Sequence, residues 1–239
     1  MNIKYIVATA LLATTATPVL AQDFTSGWTG SITAGADYAN GNTNKTNFRS
    51  GFSIKQELER WENTAELKTR FGKENGSRTE ETYRAKGEID YKYTDTTYSF
   101  VEAEYVNDQF SGYEYRITES VGLGHKLVDL PHYRLDVKGS VGARHTKEDT
   151  AVGNKETEIV FKPEITLSWD ITDTLKFGQT LSSVIGTDKT ITEAGTTLST
   201  HLIGNLALEL SFDVEHTSKV PTGNQKTDTY TSLNLVYDF

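Results

Sequence analysis

The chain has 239 residues, a formal charge of −9 and no cysteine. That acidic balance argues against a nucleic-acid partner, whose phosphates call for basic stripes. With no thiol there is neither a disulfide framework nor a thiolate metal site, so stability must come from architecture.

Residues 1–21, MNIKYIVATALLATTATPVLA, hold one basic residue, Lys4, then an apolar stretch and small residues up to Ala21. They read as a secretory signal peptide, which leaves 22–239 as the mature domain. Losing Lys4 takes the formal charge from −9 to −10. No other stretch approaches the roughly 18 apolar residues of a membrane helix. Outer-membrane barrels escape that test, because their lumen faces are polar.

From Trp28 onward one theme repeats: an alternating run, a polar turn, another alternating run. A period of two means a strand with two unlike faces. In the first run Trp28, Ile32, Ala34, Ala36 and Tyr38 share a face; in the second, Phe48, Phe52, Ile54 and Leu58 oppose Asn47, Arg49, Lys55 and Glu57. Ala65, Leu67 and Phe71 oppose Glu66, Lys68 and Arg70. Tyr83, Ala85, Ile89, Tyr91 and Tyr93 oppose Arg84, Lys86, Glu88, Asp90 and Lys92.

The pattern continues with Val101, Ala103 and Tyr105 against Glu102 and Glu104. Tyr113, Tyr115, Ile117, Val121 and Leu123 then stand against Glu114, Arg116, Thr118 and Ser120. Tyr133, Leu135, Val137 and Val141 face away from Arg134, Asp136, Lys138 and Arg144; Ile159, Phe161, Ile165, Leu167 and Trp169 from Glu158, Lys162 and Glu164. Two weaker runs, near Leu175–Ile185 and Ala194–Leu202, lean on Thr and Ser. Leu206, Leu208, Leu210, Phe212 and Val214 follow, against Glu209, Asp213 and Glu215. The last run places Leu233, Leu235, Tyr237 and the terminal Phe239 on one parity. The runs number about twelve, an even count as single-chain bacterial barrels require.

Connections after odd runs are long and polar, such as KENGSRTEE (73–81) and GTDKTITEAG (186–195); those after even runs are tight, such as TDTT (94–97) and Gly204-Asn205. With a periplasmic N-terminus, the long set lies outside the cell. Alternation alone does not say whether the apolar face meets a dry core or lipid. The leader, the aromatic terminal strand, and aromatics near strand ends (Trp28, Tyr38, Tyr91, Tyr93, Tyr133, Trp169, Tyr237) point to lipid. The expected fold is a closed, antiparallel, transmembrane β-barrel of about twelve strands, all-β, in meander order. Closure follows because hydrocarbon tolerates no unpaired edge.

The charged parity then lines a lumen. Its candidates are Arg49, Lys55, Glu66, Arg70, Arg84, Lys86, Glu88, Glu102, Glu104, Arg116, Arg134, Asp136, Lys138, Arg144, Lys162, Glu164, Glu209 and Asp213. Acids and bases are similar in number, so cross-strand ion-pair ladders are expected. A twelve-strand lumen lies between filled eight-strand barrels and open porins, and long side chains leave only a narrow passage. Glu119 and Gln179 fall on the lipid parity and need a bulge or a position beyond the membrane. Leu233, Leu235, Tyr237 and Phe239 are the candidate assembly signal, read by the barrel assembly machinery. Outer-membrane lipid and lipopolysaccharide are the other expected partners.

Chemistry is harder to find. His125, His132, His145, His201 and His216 match no catalytic or metal spacing, so no catalytic residue, metal or cofactor is assigned. The main rivals are an enzyme at the outer rim, with His145 or His216, and a soluble periplasmic ligand-binding barrel. Three blocks carry a family resemblance: GWTGSITAGADYANGNTNKTNF (27–48), YVNDQFSGYEYRITESVGLGHKL (105–127) and KTDTYTSLNLVYDF (226–239). In this order they resemble the YdiY-like family of salt-induced outer-membrane proteins, a domain of unknown function. The resemblance implies an outer-membrane barrel linked to salt or osmotic conditions and supplies no catalytic residues. The function expected is a porin-like or structural envelope protein that passes small solutes or ions.

Overall fold

A computed structural model of the protein describes residues 27–39, 45–148, 154–220 and 225–239; the proposed leader lies outside them. Twelve strands follow one another: β1 (Trp28–Ala39), β2 (Lys45–Glu57), β3 (Trp61–Glu74), β4 (Ser77–Lys92), β5 (Thr97–Asp108) and β6 (Tyr113–Leu130). Then come β7 (Tyr133–Glu148), β8 (Lys155–Asp170), β9 (Leu175–Gly186), β10 (Thr190–Ile203), β11 (Leu206–Thr217) and β12 (Thr227–Asp238). Each pairs antiparallel with the next, and β1 pairs with β12, so the meander closes into a barrel. Gly30 and Phe239 exchange two backbone hydrogen bonds of 2.8 and 2.9 Å at the closure. The start of β1 and the end of β12 therefore lie at one rim, here the near rim.

The alternation resolves inside out. Ile32, Phe52, Leu67, Val121, Phe161, Leu210 and Leu235 are all exposed on the exterior, and Ile159 is 79% exposed. Glu88, Asp90, Glu102, Arg144, Glu158 and Lys162 are buried in the interior. A soluble barrel would reverse both sets, so the exterior is built for hydrocarbon. No helix among the described residues is long and apolar enough to cross a membrane; the crossing is made by strands. Polar residues on the outer face satisfy one another across the ladder. Ser50 and Thr69 lie 2.8 Å apart, and the Thr196 hydroxyl donates to Gln179 at 2.7 Å.

Three expectations need correction, and for Glu119 one of two alternatives is removed. The stretch 73–81 is no long loop: β3 and β4 run into it and are joined by Asn75 and Gly76. Their φ angles of 50° and 82° suit a tight two-residue hairpin, which Asn-Gly is built to make. Likewise 186–195 shortens to Thr187–Lys189, because Thr190, Thr192 and Ala194 already pair with β9. Loop length is thus a weaker sorter of the two rims than the sequence indicates. Tyr113 does not share a face with Tyr115, because the register shifts between them and turns Tyr113 inwards. Glu119 sits on no bulge: pairing is continuous from Ile117 to Leu123, and its side chain is exposed on the outer face.

Aromatics collect near the strand ends. At the near rim Trp61 packs edge-on against Tyr91 at 4.9 Å, and Tyr133 faces Trp169 in register. Towards the far rim Phe71 meets Tyr83 at 5.6 Å and Tyr105 stacks on Tyr115 at 6.4 Å. These are the two interfacial belts of a membrane barrel.

Candidate functional site: the charged lumen

On the wall from β4 to β8, long charged side chains interlock. Glu88 and Glu102 face each other in register on β4 and β5, a repulsive pairing unless cations intervene. Lys138 pairs with Glu88; Lys86, at 2.8 Å, and Lys162 both pair with Glu102, which is only 2% exposed. Glu164 stands 3.7 Å from Lys162 and 3.9 Å from Lys138. Burial makes each member depend on the others, because removing one leaves an uncompensated charge out of water.

Aromatic rings complete the same wall. Tyr98 and Phe100 point into the lumen opposite Gly124 and Gly122. A methyl group on Gly124 would lie 2.5 Å from the Tyr98 hydroxyl, so the ring fits only over bare backbone. The hydroxyl donates to Asp136 at 2.7 Å, and the Lys138 ammonium sits 5.1 Å from the Phe100 ring centre.

From β9 round to β1 many inward residues are small, Gly178, Thr180, Ser182, Gly195, Thr197, Ser211, Ser232 and Thr33, and they stand between the longer Glu193, Glu209, Asp213, Glu215 and Tyr230. Ser211 and Ser232 share a 2.6 Å hydrogen bond. Between the two walls lies a cavity of about 600 Å³, which Asp213, Glu66 and Lys68 also line.

Ion pairs that cross the barrel bound this cavity. Arg84 on β4 binds Glu104 on the neighbouring strand and also Glu193 on β10, six strands away in a ring of twelve. Arg116 on β6 lies 3.7 Å from Glu215 on β11. Beside these struts, Tyr230 carries the Arg70 and Arg49 guanidiniums at 4.1 and 5.4 Å from its ring centre. Above the struts a second cavity of about 500 Å³ opens towards the far rim, lined by Asn47, Arg49, Glu80, Asp108, Lys189 and Asp228.

The β9–β10 turn folds into that far cavity. Arg144, fully buried, donates from Nε to Glu158 at 2.9 Å and from Nη2 to the Lys189 carbonyl at 2.6 Å. The Asp188 amide donates to the same carboxylate at 3.1 Å. Lys189 itself is buried with its ammonium 3.9 Å from the Tyr113 ring centre. Burial, then repulsion from Arg144 and Arg116, pushes it down to about 8.

The residues singled out in the sequence are not all in one place. Arg49, Glu66, Arg70, Arg84, Lys86, Glu88, Glu104, Arg116, Lys138, Lys162, Glu164 and Asp213 line the cavities. Glu102, Asp136 and Arg144 are tied into the walls, and Glu209 accepts from Asn234 at 3.3 Å. Lys55 lies towards the near rim, 2.7 Å from Glu62. Arg134 is outside the lumen, its side chain 68% exposed and 3.5 Å from Asp129. Leu233, Leu235, Tyr237 and Phe239 are exposed on the outer face, with Phe239 stacked on Phe52 at 6.4 Å. Tyr98, Phe100, Tyr113, Lys189 and Glu193, with Glu80, Asp108 and Asp228 of the far cavity, are among the lumen groups that the sequence reading missed. His145 and His216 sit on β7 and β11, each 2.9 and 2.8 Å from its own cross-strand threonine, Thr157 and Thr227.

Residues 32–239 match a family described as "Protein of unknown function, DUF481". The chain belongs to this family. It is 28% identical over 165 residues to the uncharacterized protein YdiY of Escherichia coli (strain K12), covering 68% of this chain and 64% of that one. It thus spans less than two thirds of that relative's length. Among solved structures this DUF481 barrel is similar to the NanC porin, with a TM-score of 0.57, 12% identity, and coverage of 88% and 98% of the two chains. It is also similar to an outer membrane channel from Pseudomonas putida F1, with a TM-score of 0.54, 11% identity, and coverage of 94% and 100%. These likenesses show the fold. Together with the apolar exterior they place the DUF481 barrel in the bacterial outer membrane, with a porin-like architecture.

Proposed function

We propose that the protein is a narrow outer-membrane channel for small polar solutes or ions, not an enzyme. Its near rim is periplasmic and its far rim faces outwards. The observation that carries this reading is the pair of struts, Arg84–Glu193 and Arg116–Glu215, which divide one lumen into a near and a far chamber. A barrel that served only as scaffold has no need of two polar chambers meeting at one layer. The struts join side chains from opposite walls, so opening them costs no backbone pairing. Induction by salt, and use of Leu233, Leu235, Tyr237 and Phe239 as the assembly signal, belong to the same proposal.

Planar-bilayer conductance of the purified protein tests it. Wild type should give small unitary steps, and Glu193→Ala combined with Glu215→Ala should enlarge them severalfold. Absence of conductance in both proteins would retire the channel.

A further inference from the structure

The barrel is not sealed along its whole height. β1 and β12 are joined from Gly30 and Phe239 up to Gly35 and Asn234. Beyond that rung β1 stays paired with β2 as far as Ala39↔Lys45, and β12 stays paired with β11 as far as Thr227↔His216. No register pair joins β1 to β12 there among the described residues. Both strands persist, so neither has frayed; they part along their shared edge in the far half. The last rung is pinned by Asn234, which is buried, donates to Glu209 and Ser211, and lies against Gly35 where any Cβ would collide.

An unpaired backbone edge facing hydrocarbon is strongly disfavoured, so polar groups or a ligand must reach it. The far chamber does reach it. Thr229 and Thr231 belong to the outward parity of β12, yet they line that chamber beside Arg49 and Tyr230. Immediately inside the parting are the two guanidiniums stacked on Tyr230. Arg84, Arg116 and Arg144 each hold a carboxylate, whereas Arg49 and Arg70 have none within ion-pair distance among the described residues. Arg49 Nε is buried without a hydrogen-bond partner. Glu80, Asp108 and Asp228 also line the chamber; Glu80 attracts both guanidiniums and Asp228 attracts Arg70 at longer range, but none of the three is within ion-pair distance of either among the described residues. Outside, the same parting is flanked by Ala36, Phe48, Phe212 and Leu233.

Inside, two guanidiniums without a direct ion-pair partner and, outside, an apolar margin are the complement of one kind of molecule. We propose that the far half of the β1–β12 seam is a lateral binding site for an anionic acyl-chain amphiphile of the membrane. The carboxylate or phosphate head lies on Arg49 and Arg70, where planar forks favour two-oxygen anions. The acyl chain leaves between the strands into the bilayer. The unpaired strand edges supply donors and acceptors to the head region. The occupant enters from the side and its head stands in the far chamber, so binding is measured without relying on conduction.

Binding of radiolabelled hexadecanoate to the full-length mature barrel in an uncharged detergent tests the site, with hexadecyl phosphate, hexadecanol and acetate as competitors. Saturable binding of one hexadecanoate per barrel is expected, displaced by hexadecyl phosphate and not by acetate or hexadecanol. Arg49→Gln with Arg70→Gln should weaken it by about tenfold or more, the loss of one to two charge-assisted hydrogen bonds. Tyr38→Cys with Thr231→Cys extends the β1–β12 register by placing a disulfide across the parting, in a chain with no other cysteine. Oxidation should abolish binding and reduction restore it, so one sample serves as its own folding control. Hexadecanoate binding that is absent in wild type, or unchanged by the arginine substitutions or by oxidation, would overturn the proposal. So would covalent dimers of Thr231→Cys alone, which would show a strand of a second copy in the gap.

Discussion

On the wall from β4 to β8, Glu102 is gripped by Lys86 and Lys162 while Tyr98 and Phe100 close over glycines. On the wall from β9 round to β1, Gly178, Ser182, Gly195 and Thr197 leave room for the near cavity between the longer Glu193, Asp213 and Glu215. Strand number fixes the circumference of a barrel; side-chain length decides how much of it is filled. The near cavity is consequently eccentric, lying against the wall of smaller residues, and Arg84 and Arg116 reach across from the filled wall to bound it.

The largest effect that should separate the two walls comes from removing a central carboxylate. Glu102→Ala leaves the buried Lys86 and Lys162 ammoniums without their shared partner, and breaking such a pair costs roughly 3–5 kcal/mol. Ser211→Ala on the other wall removes one hydroxyl bond to Ser232 and should cost about 1 kcal/mol. Urea unfolding in lipid vesicles measures both. Equal losses would mean that the filled wall has no special structural role.

The wall of smaller residues is nevertheless constrained on its other side. Leu210 is exposed on the outer face of β11, and Leu210→Arg should cost about 2–4 kcal/mol if it lies near the midplane. Glu209→Gln, one residue along and inside the lumen, should barely alter unfolding. If the two substitutions behave alike in the same vesicle assay, the division between lipid and lumen faces fails on this wall.

Much of this plan was legible before the fold was known. Alternation, the terminal Phe239 strand and the aromatic ends gave the barrel, because a period of two and a rim preference are local properties. The filled wall was half legible. Tyr98 and Phe100 share parity with Glu102, and Gly122 and Gly124 share parity with Ser120; aromatics opposite glycines in successive strands are a signal that could have been read. The struts were not legible. Arg84 and Glu193 are 109 residues apart, and only the closed circumference sets them face to face. Tyr113 was misplaced because a register shift inverts parity without changing the composition that a pattern search sees. The short β9–β10 turn was hidden for another reason: Thr-rich strand ends look like loop.

That turn supplies the smallest effect, and it titrates. Lys189 on the turn is held down to about 8, against an ordinary 10.5, by burial first and then by Arg144 and Arg116. A base whose folded value is depressed binds fewer protons folded than unfolded between those two values, so stability rises with pH across that window. Below about 8 both states carry the proton and the contribution is flat; above 10.5 neither does and it is flat again. Urea midpoints followed from pH 7 to 11 should therefore climb modestly, and Lys189→Met should remove the slope. The turn packs against Arg144 on the filled wall while its ammonium looks into the far chamber. Conduction should report the same proton: raising pH through about 8 removes one positive charge from the chamber and shifts selectivity towards cations. A pH-independent selectivity with an intact stability slope would place Lys189 in the wall and take it out of the pathway.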